Sequence, residues 1–113
     1  MTFDEYQEKA ITTDTFTGPR DLMSSGFLEK AFGLVGEAGE VAEKLKKIIR
    51  DKDGILSEED KKEIIKEFGD VLWYISSLAL YLGVPLSTVA EGNLDKVLSR
   101  KARGKTHSSG DNR

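Results

Sequence analysis

Two stretches of the sequence decide the fold: GLVGEAGEVAEKLKK at residues 33–47 and KEFGDVLWYI at residues 66–75. In both, the apolar residues recur every three or four positions, which is the period of an α-helix with one buried face. The periodic pattern extends over residues 26–50 around the first stretch and over 57–82 around the second. The intervening DKDG, at 51–54, is typical of a turn. The sequence therefore predicts two long helices joined by a short connection.

Two further helices flank this pair. Thr2 and Glu5 stand at capping-box spacing, which predicts a helix over 3–15. Pro85 suits the first turn of a last helix over 85–100. Because four helices are joined by short connections and no long stretch alternates with period two, we predict an all-α fold arranged as an antiparallel four-helix bundle.

The composition suggests that one copy of the chain does not complete its own core. The 113 residues fit one domain, with 38% hydrophobic and 33% charged residues. The second half of the helix at 57–82 is apolar on most sides, and such a helix is buried on most sides. A second copy is the simplest source of the missing face. We predict a helical domain over 1–100, completed by oligomerisation, and a flexible polar tail over 101–113.

Charge and cysteine content exclude several classes of protein. A net charge of −3 and a pI near 5.2 argue against a nucleic-acid partner, since duplex-binding domains usually carry a basic face. The absence of cysteine excludes disulfides and thiolate metal sites. No apolar run is long enough to span a bilayer and no signal pattern opens the chain. The expectation is a cytoplasmic protein with no membrane partner.

Two pairs of acidic residues are candidates for a metal site. Glu37 and Glu40 are three residues apart on the second predicted helix, and Glu67 and Asp70 have the same spacing on the third. Residues at this spacing share a helix face, so an antiparallel hairpin would bring the pairs together. Carboxylates that converge in a half-buried cleft need compensation, and oxygen ligands favour Mg²⁺ or Mn²⁺. The alternative is that they are ordinary surface acids in a chain with 20 Asp and Glu.

Glycines inside the predicted helices accompany these acids. Gly33, Gly36 and Gly39 flank the first pair, and Gly69 lies within the second. Each weakens a helix by about 1 kcal/mol relative to Ala, so a packing or functional reason is expected. Room for a ligand and tight helix packing both remain open as that reason.

The residues resemble a known family, the MazG-like all-α nucleoside triphosphate pyrophosphohydrolases. Their signature is E-x-x-E followed after a gap by E-x-x-D, which here reads EAGE at 37–40 and EFGD at 67–70. The glycine context, the apolar stretch after Asp70, YQEKA at 6–10 and NLDKVLSR at 93–100 extend the resemblance over nearly the whole chain.

The resemblance implies a specific reaction and site. Family members hydrolyse a nucleoside triphosphate to the monophosphate and pyrophosphate, hold Mg²⁺ with the four carboxylates, and are homodimers or homotetramers. It also implies that Asn93 and Lys96, at family-like positions on the last helix, contact phosphates, with a solvated helix face as the alternative for Lys96. Tyr74, one turn after Asp70, is a candidate for the pocket border, with core packing as the alternative. A metal-activated water suits these residues, and Glu40 is our candidate for orienting or deprotonating it.

Three other functions stay open at this point. A phosphoribosyl-ATP pyrophosphohydrolase and a dUTPase-like enzyme would use similar carboxylate helices, so the acid pairs do not distinguish them. A non-enzymatic helical assembly module would use the apolar third helix alone. The sequence does not indicate the base or sugar preference of the substrate.

Overall fold

The regular elements of the protein are helices throughout the region that the computed structural model describes, residues 1–104. A 3₁₀ turn at Ile11–Thr13 follows the first helix. The helices are α1 (Phe3–Ala10), α2 (Ser25–Lys52), α3 (Glu58–Tyr81) and α4 (Leu86–Ala102). The predicted all-α fold class is confirmed, and α4 continues two residues past its predicted end. Most of the predicted flexible tail, residues 105–113, lies outside the described residues.

Local sequence signals set the ends of the two long helices. The Ser24 hydroxyl accepts a hydrogen bond from the Phe27 amide at 3.1 Å and so caps the start of α2. Ser57 and Asp60 form a reciprocal capping box at the start of α3. Between these helices Gly54 adopts a left-handed backbone conformation with φ of 75°, which a glycine accepts without strain. The chain therefore reverses sharply after α2.

α2 and α3 form an antiparallel hairpin, which is the main helix pair of the chain. Near the connection the Lys52 ammonium lies 2.7 Å from the Asp60 carboxylate. At the far end the Tyr74 ring lies so close to Gly33 that a Cβ there would be 2.3 Å from a ring carbon. Since the partners run in opposite directions along the two helices, the middle of α2 faces the middle of α3. This register positions the candidate site.

The other two helices pack at the carboxyl-terminal end of α3. α1 contacts both α3 and α4, and α4 is bent by 104° from the direction of α3. Residues 1–104 of a single chain therefore form a hairpin with two attached helices. The four-helix bundle, and the oligomerisation that would complete it, stay predictions.

Much of the apolar surface of the hairpin faces solvent in the single chain. The buried apolar residues are few: Ile48, Ile64, Ala79, Tyr81 and Leu86. Phe32 and Val35 on α2 are 75% and 71% exposed, and Ile65 and Phe68 on α3 are 62% and 54% exposed. Folded monomers rarely leave large contiguous apolar patches in water. These side chains are candidates for a contact with another copy of the chain.

α1 supplies the hydrogen bonds that the start of α4 lacks. The N-cap of α4 is Pro85, which offers no side-chain cap. Instead the side-chain oxygen of Gln7 accepts a hydrogen bond from the Leu86 amide at 3.1 Å. The Asp4 carboxylate accepts hydrogen bonds from the amide and hydroxyl of Ser87 at 2.9 and 2.7 Å. Hydrogen bonds from Ser87 hold the pKa of Asp4 below its usual value. Two side chains of α1 thus fix the direction of α4.

Gln7→Leu is expected to destabilise the protein by about 3 kcal/mol, because buried groups lose their partners. The buried Gln7 amide also donates to the carbonyls of Ser76 and Val84, at 3.2 and 3.1 Å. Urea unfolding followed by circular dichroism measures the change, with Glu8→Leu on the exposed side of α1 as the control. Equal midpoints for the two variants would contradict this role for Gln7.

No single helix within residues 1–104 is long and apolar enough to cross a membrane. Taken together, α3 and α4 meet this criterion by length and composition, but they form a bent pair.

Candidate metal centre

Three of the four predicted carboxylates converge across the hairpin. Glu37 on α2 and Glu67 and Asp70 on α3 each place one carboxylate oxygen within 4.8 Å of the others. The spacing of three residues puts Glu67 and Asp70 on one face of α3, and the antiparallel register brings Glu37 opposite them. Glu37 and Glu67 are half-buried, whereas Asp70 is exposed. We call these three residues the carboxylate cluster.

The electrostatics of the carboxylate cluster are unfavourable without a cation. Burial raises the pKa of Glu37, and a hydrogen bond shared with Glu67 and the negative charge of Asp70 raise it further. A carboxyl group with a raised pKa resists ionisation beside neighbours of like charge. A bound cation would relieve this repulsion, because its positive charge would favour the ionised form of Glu37.

The donor set fits a hard divalent cation. Magnesium binds oxygen ligands at about 2.1 Å, so ligands on opposite sides of one ion are about 4.2 Å apart. The oxygens of the cluster lie within 4.8 Å, so small side-chain movements suffice to bring them onto one ion. No histidine or cysteine takes part in the cluster, which favours Mg²⁺ or Mn²⁺ over Zn²⁺.

The fourth predicted ligand, Glu40, does not join the cluster. Its side chain is exposed, and its oxygens are not among those within 4.8 Å of one another. Its negative charge still contributes to the raised pKa of Glu37. The next acid in this row, Glu43, pairs with Lys46 at 2.9 Å and with Lys47 at 3.8 Å, both on α2.

The helix glycines divide into two kinds. Gly33 allows the Tyr74 ring to lie directly against the backbone of α2. Around Gly36, Gly39 and Gly69, by contrast, an added Cβ would meet no atom within 4 Å. Of the four glycines that accompany the acids, tight packing within the chain therefore explains only Gly33. The other three border open space beside the acids, as a ligand or a second copy would require.

Gly36→Ala and Gly33→Ala are expected to change stability in opposite directions. Alanine at 36 should stabilise the protein by about 1 kcal/mol, because it favours the helix and meets no neighbour. Alanine at 33 should destabilise it by about 1–3 kcal/mol, because its Cβ would collide with Tyr74. Thermal unfolding of the two variants checks the pair. A loss of stability for Gly36→Ala would mean that another copy fills the space.

The predicted substrate-binding residues lie on two helices. Tyr74 follows Asp70 by one turn, contacts Gly33, and meets Trp73 edge-on with ring centroids 5.1 Å apart. Asn93 is exposed and Lys96 is half-buried on α4, and neither belongs to the carboxylate cluster. A substrate role for these three residues stays a prediction.

The sequence reasoning did not identify Tyr6 as part of this region. Burial raises the pKa of the Tyr6 phenol, and the negative charge of Asp70 raises it further. The side chain of Tyr6 therefore comes from α1 to within electrostatic reach of the carboxylate cluster. Its only sequence signal was its place in YQEKA, at residues 6–10, which contributes to the family resemblance.

A buried ion pair beneath the aromatic residues was also missed. The Lys30 ammonium lies 2.7 Å from the Asp14 carboxylate, and both side chains are 2% exposed. The rings of Phe16, Trp73 and Tyr81 surround the ammonium at 5.8, 5.7 and 5.0 Å. The ion pair connects the segment after α1 to the start of α2, and Trp73 of α3 lies beside it.

Comparison with known proteins identifies the family of the chain. A family model described as the MazG nucleotide pyrophosphohydrolase domain matches residues 28–104, more than half of the chain. The chain belongs to this family. The matched region contains all four predicted metal ligands, together with Tyr74, Asn93 and Lys96.

One curated protein is similar to the chain over its full length. It is the Gene 37 protein of Mycobacterium phage L5, which is 49% identical over 114 residues that cover all of both chains. Its name states no activity. No solved structure matches the chain significantly.

Proposed function

We propose that the protein is a Mg²⁺-dependent nucleoside triphosphate pyrophosphohydrolase that converts an NTP or dNTP to the monophosphate and pyrophosphate. The observation that carries this proposal is the convergence of Glu37, Glu67 and Asp70 across the hairpin of a MazG-family chain. Mn²⁺ is the natural substitute, since it accepts the same oxygen ligands. Nucleoside triphosphates and Mg²⁺ meet in the cytoplasm, where we expect the protein to act.

The carboxylate cluster would hold the metal, and Glu40 would complete or adjoin its coordination. A bound Mg²⁺ would supply positive charge to the triphosphate and would favour water as the nucleophile. In the proposed reaction, a water oxygen would form a bond to the α-phosphorus while the bond from the α-phosphorus to the bridging oxygen breaks, so that pyrophosphate departs. Glu40, which lies outside the cluster, is our candidate for accepting the proton of the water.

The substrate would lie between the hairpin and α4. Tyr74 follows Asp70 by one helical turn and is proposed to contact the nucleoside. Asn93 and Lys96 on α4 are proposed to bind phosphate oxygens, for which an amide and an ammonium are suitable donors. Tyr6, near Asp70, would line the same region from α1.

We propose a homodimer or homotetramer as the active assembly. The exposed apolar side chains of α2 and α3, including Phe32, Val35, Ile65 and Phe68, support this proposal. Neither a nucleic-acid nor a membrane partner is proposed.

A nucleotide panel tests the reaction. The purified protein is incubated with Mg²⁺ and each of the canonical and modified NTPs and dNTPs, with dUTP and phosphoribosyl-ATP included, and pyrophosphate is measured. Exclusive turnover of phosphoribosyl-ATP or of dUTP would favour the corresponding alternative enzyme. Release of orthophosphate alone would contradict cleavage between the α and β phosphates. No turnover of any nucleotide by an intact oligomer would favour the assembly module.

A further inference from the structure

One lysine reaches the carboxylate cluster from α2. The ammonium of Lys44 lies 3.4 Å from a carboxylate oxygen of Glu67 and 3.9 Å from one of Glu63. Lys44 follows Glu40 by one helical turn, and the antiparallel register sets it opposite these two acids of α3. The side chain of Glu67 is 16% exposed and that of Lys44 is 31% exposed, so water screens this pair less than the surface pairs.

The position of Lys44 differs from that of the neighbouring lysines. Lys46 and Lys47 pair with Glu43 on α2 itself, and their side chains are 59% and 58% exposed. Lys44 instead contacts a member of the carboxylate cluster. Its positive charge offsets part of the repulsion among the three acids when no metal is bound.

Lys44 and a divalent cation would compete for the same carboxylate. A cation held by Glu67 would come within a few ångströms of the ammonium, and two positive charges at that distance repel each other. Glu63 provides a second acceptor farther from the cluster, although one of its oxygens already binds Lys66 at 3.0 Å. Lys44 also lines an open pocket of about 330 Å³ between the end of α2 and the start of α3, so its side chain has space to move.

We infer that Lys44 is the resident counter-ion of the carboxylate cluster and a positioning residue for Glu67. A divalent cation must displace its ammonium from Glu67 toward Glu63 in order to bind. This inference rests on the proposed metal site, and it concerns how that site behaves before the metal arrives.

Mn²⁺ titration calorimetry on the full chain tests the inference, with Lys46→Met as the matched control. Lys44→Met should bind Mn²⁺ about tenfold more tightly, which corresponds to the repulsion between a single and a double charge about 6 Å apart in water. Its metal-free melting temperature should fall, because the acids lose their counter-ion. Lys46→Met removes the same charge from the same helix and should bind within about twofold of the wild type, since exposed pairs contribute little.

A second variant tests whether Glu63 accepts the displaced ammonium of Lys44. Glu63→Gln should weaken Mn²⁺ binding about threefold, because the displaced ammonium loses its second partner. In the Lys44→Met background, Glu63→Gln should change the Mn²⁺ affinity only by the small amount expected from removing a distant charge. A double-mutant cycle measures this difference between the two backgrounds. Independence of the two changes would overturn the transfer from Glu67 to Glu63.

The outcomes separate the metal site from the role of Lys44. If the wild-type protein fails to bind Mn²⁺, the metal site itself is wrong. If the wild type binds and Lys44→Met matches Lys46→Met, Lys44 is not the counter-ion. Weaker binding by folded Lys44→Met would show that the lysine supports the loaded site, which also overturns the inference.

Discussion

Asp70→Asn is expected to reduce pyrophosphate release by at least about a thousandfold, because a lost metal ligand removes several kcal/mol of charge stabilisation. Asparagine preserves the shape of the side chain, so α3 and the oligomer should remain intact. The rate is measured on the preferred nucleotide at saturating Mg²⁺. Glu43→Gln is the matched control, since Glu43 lies on α2 but pairs with Lys46 outside the carboxylate cluster. Comparable losses for both variants would contradict the site assignment.

The same variant should be more stable than the wild type when no metal is present. The negative charge of Asp70 contributes to the raised pKa of Glu37. A raised pKa in the folded state stabilises folding only at low pH, and that contribution is lost as the pH rises through the folded-state value. Removing the charge of Asp70 should therefore raise the metal-free melting temperature at neutral pH. Added Mg²⁺ should stabilise the wild type but not Asp70→Asn.

Activity and metal-free stability should thus move in opposite directions for Asp70. Such opposition is typical of residues that are held in unfavourable surroundings for function. If Asp70→Asn instead loses both activity and stability, Asp70 is a structural residue of α3. In that case the convergence of Glu37, Glu67 and Asp70 would need another explanation than a metal site.

The sequence predicted the hairpin and its acids because their signals are local. Helix periodicity, the Ser57–Asp60 capping box and the turn at Gly54 each depend on residues a few positions apart. In an antiparallel hairpin, acid pairs at a spacing of three lie opposite one another only when each pair is on the face toward the other helix. The all-α fold class follows from these rules, and they made the approach of Glu37 to Glu67 and Asp70 a prediction.

The remaining features depend on contacts between distant parts of the chain, which no local rule specifies. Gln7 caps α4 from 79 residues away, and the bend of α4 follows from this docking. Lys30 gave no sign of burial, because a lysine on an amphipathic helix is normally exposed. Whether Glu40 joins its neighbours depends on side-chain orientation, and spacing does not determine that.

Lys30→Met is expected to destabilise the protein by about 3–5 kcal/mol, because it leaves a buried carboxylate without its cation. Asp14 would keep hydrogen bonds from Tyr81 at 2.7 Å and from Arg20 at 3.2 Å, but both its charge and its burial would remain. Adding Asp14→Asn to Lys30→Met should recover part of the loss, since it removes the orphaned charge. Urea unfolding of the single and double variants measures this coupling.

The pH dependence distinguishes the ion pair from simple packing around Lys30. Burial alone would raise the pKa of Asp14, but hydrogen bonds from Lys30, Tyr81, the Phe16 amide and Arg20 lower it to about 2. A group with a lowered folded-state pKa stabilises the protein above its unfolded value of 3.8, and this contribution disappears as the pH falls toward 2. The stability difference between the wild type and Lys30→Met should therefore be full at pH 7 and shrink below pH 4. A difference that stays constant down to pH 2 would mean that Lys30 acts through its packing against the three rings, and the charge of Asp14 would then have no part in holding the segment.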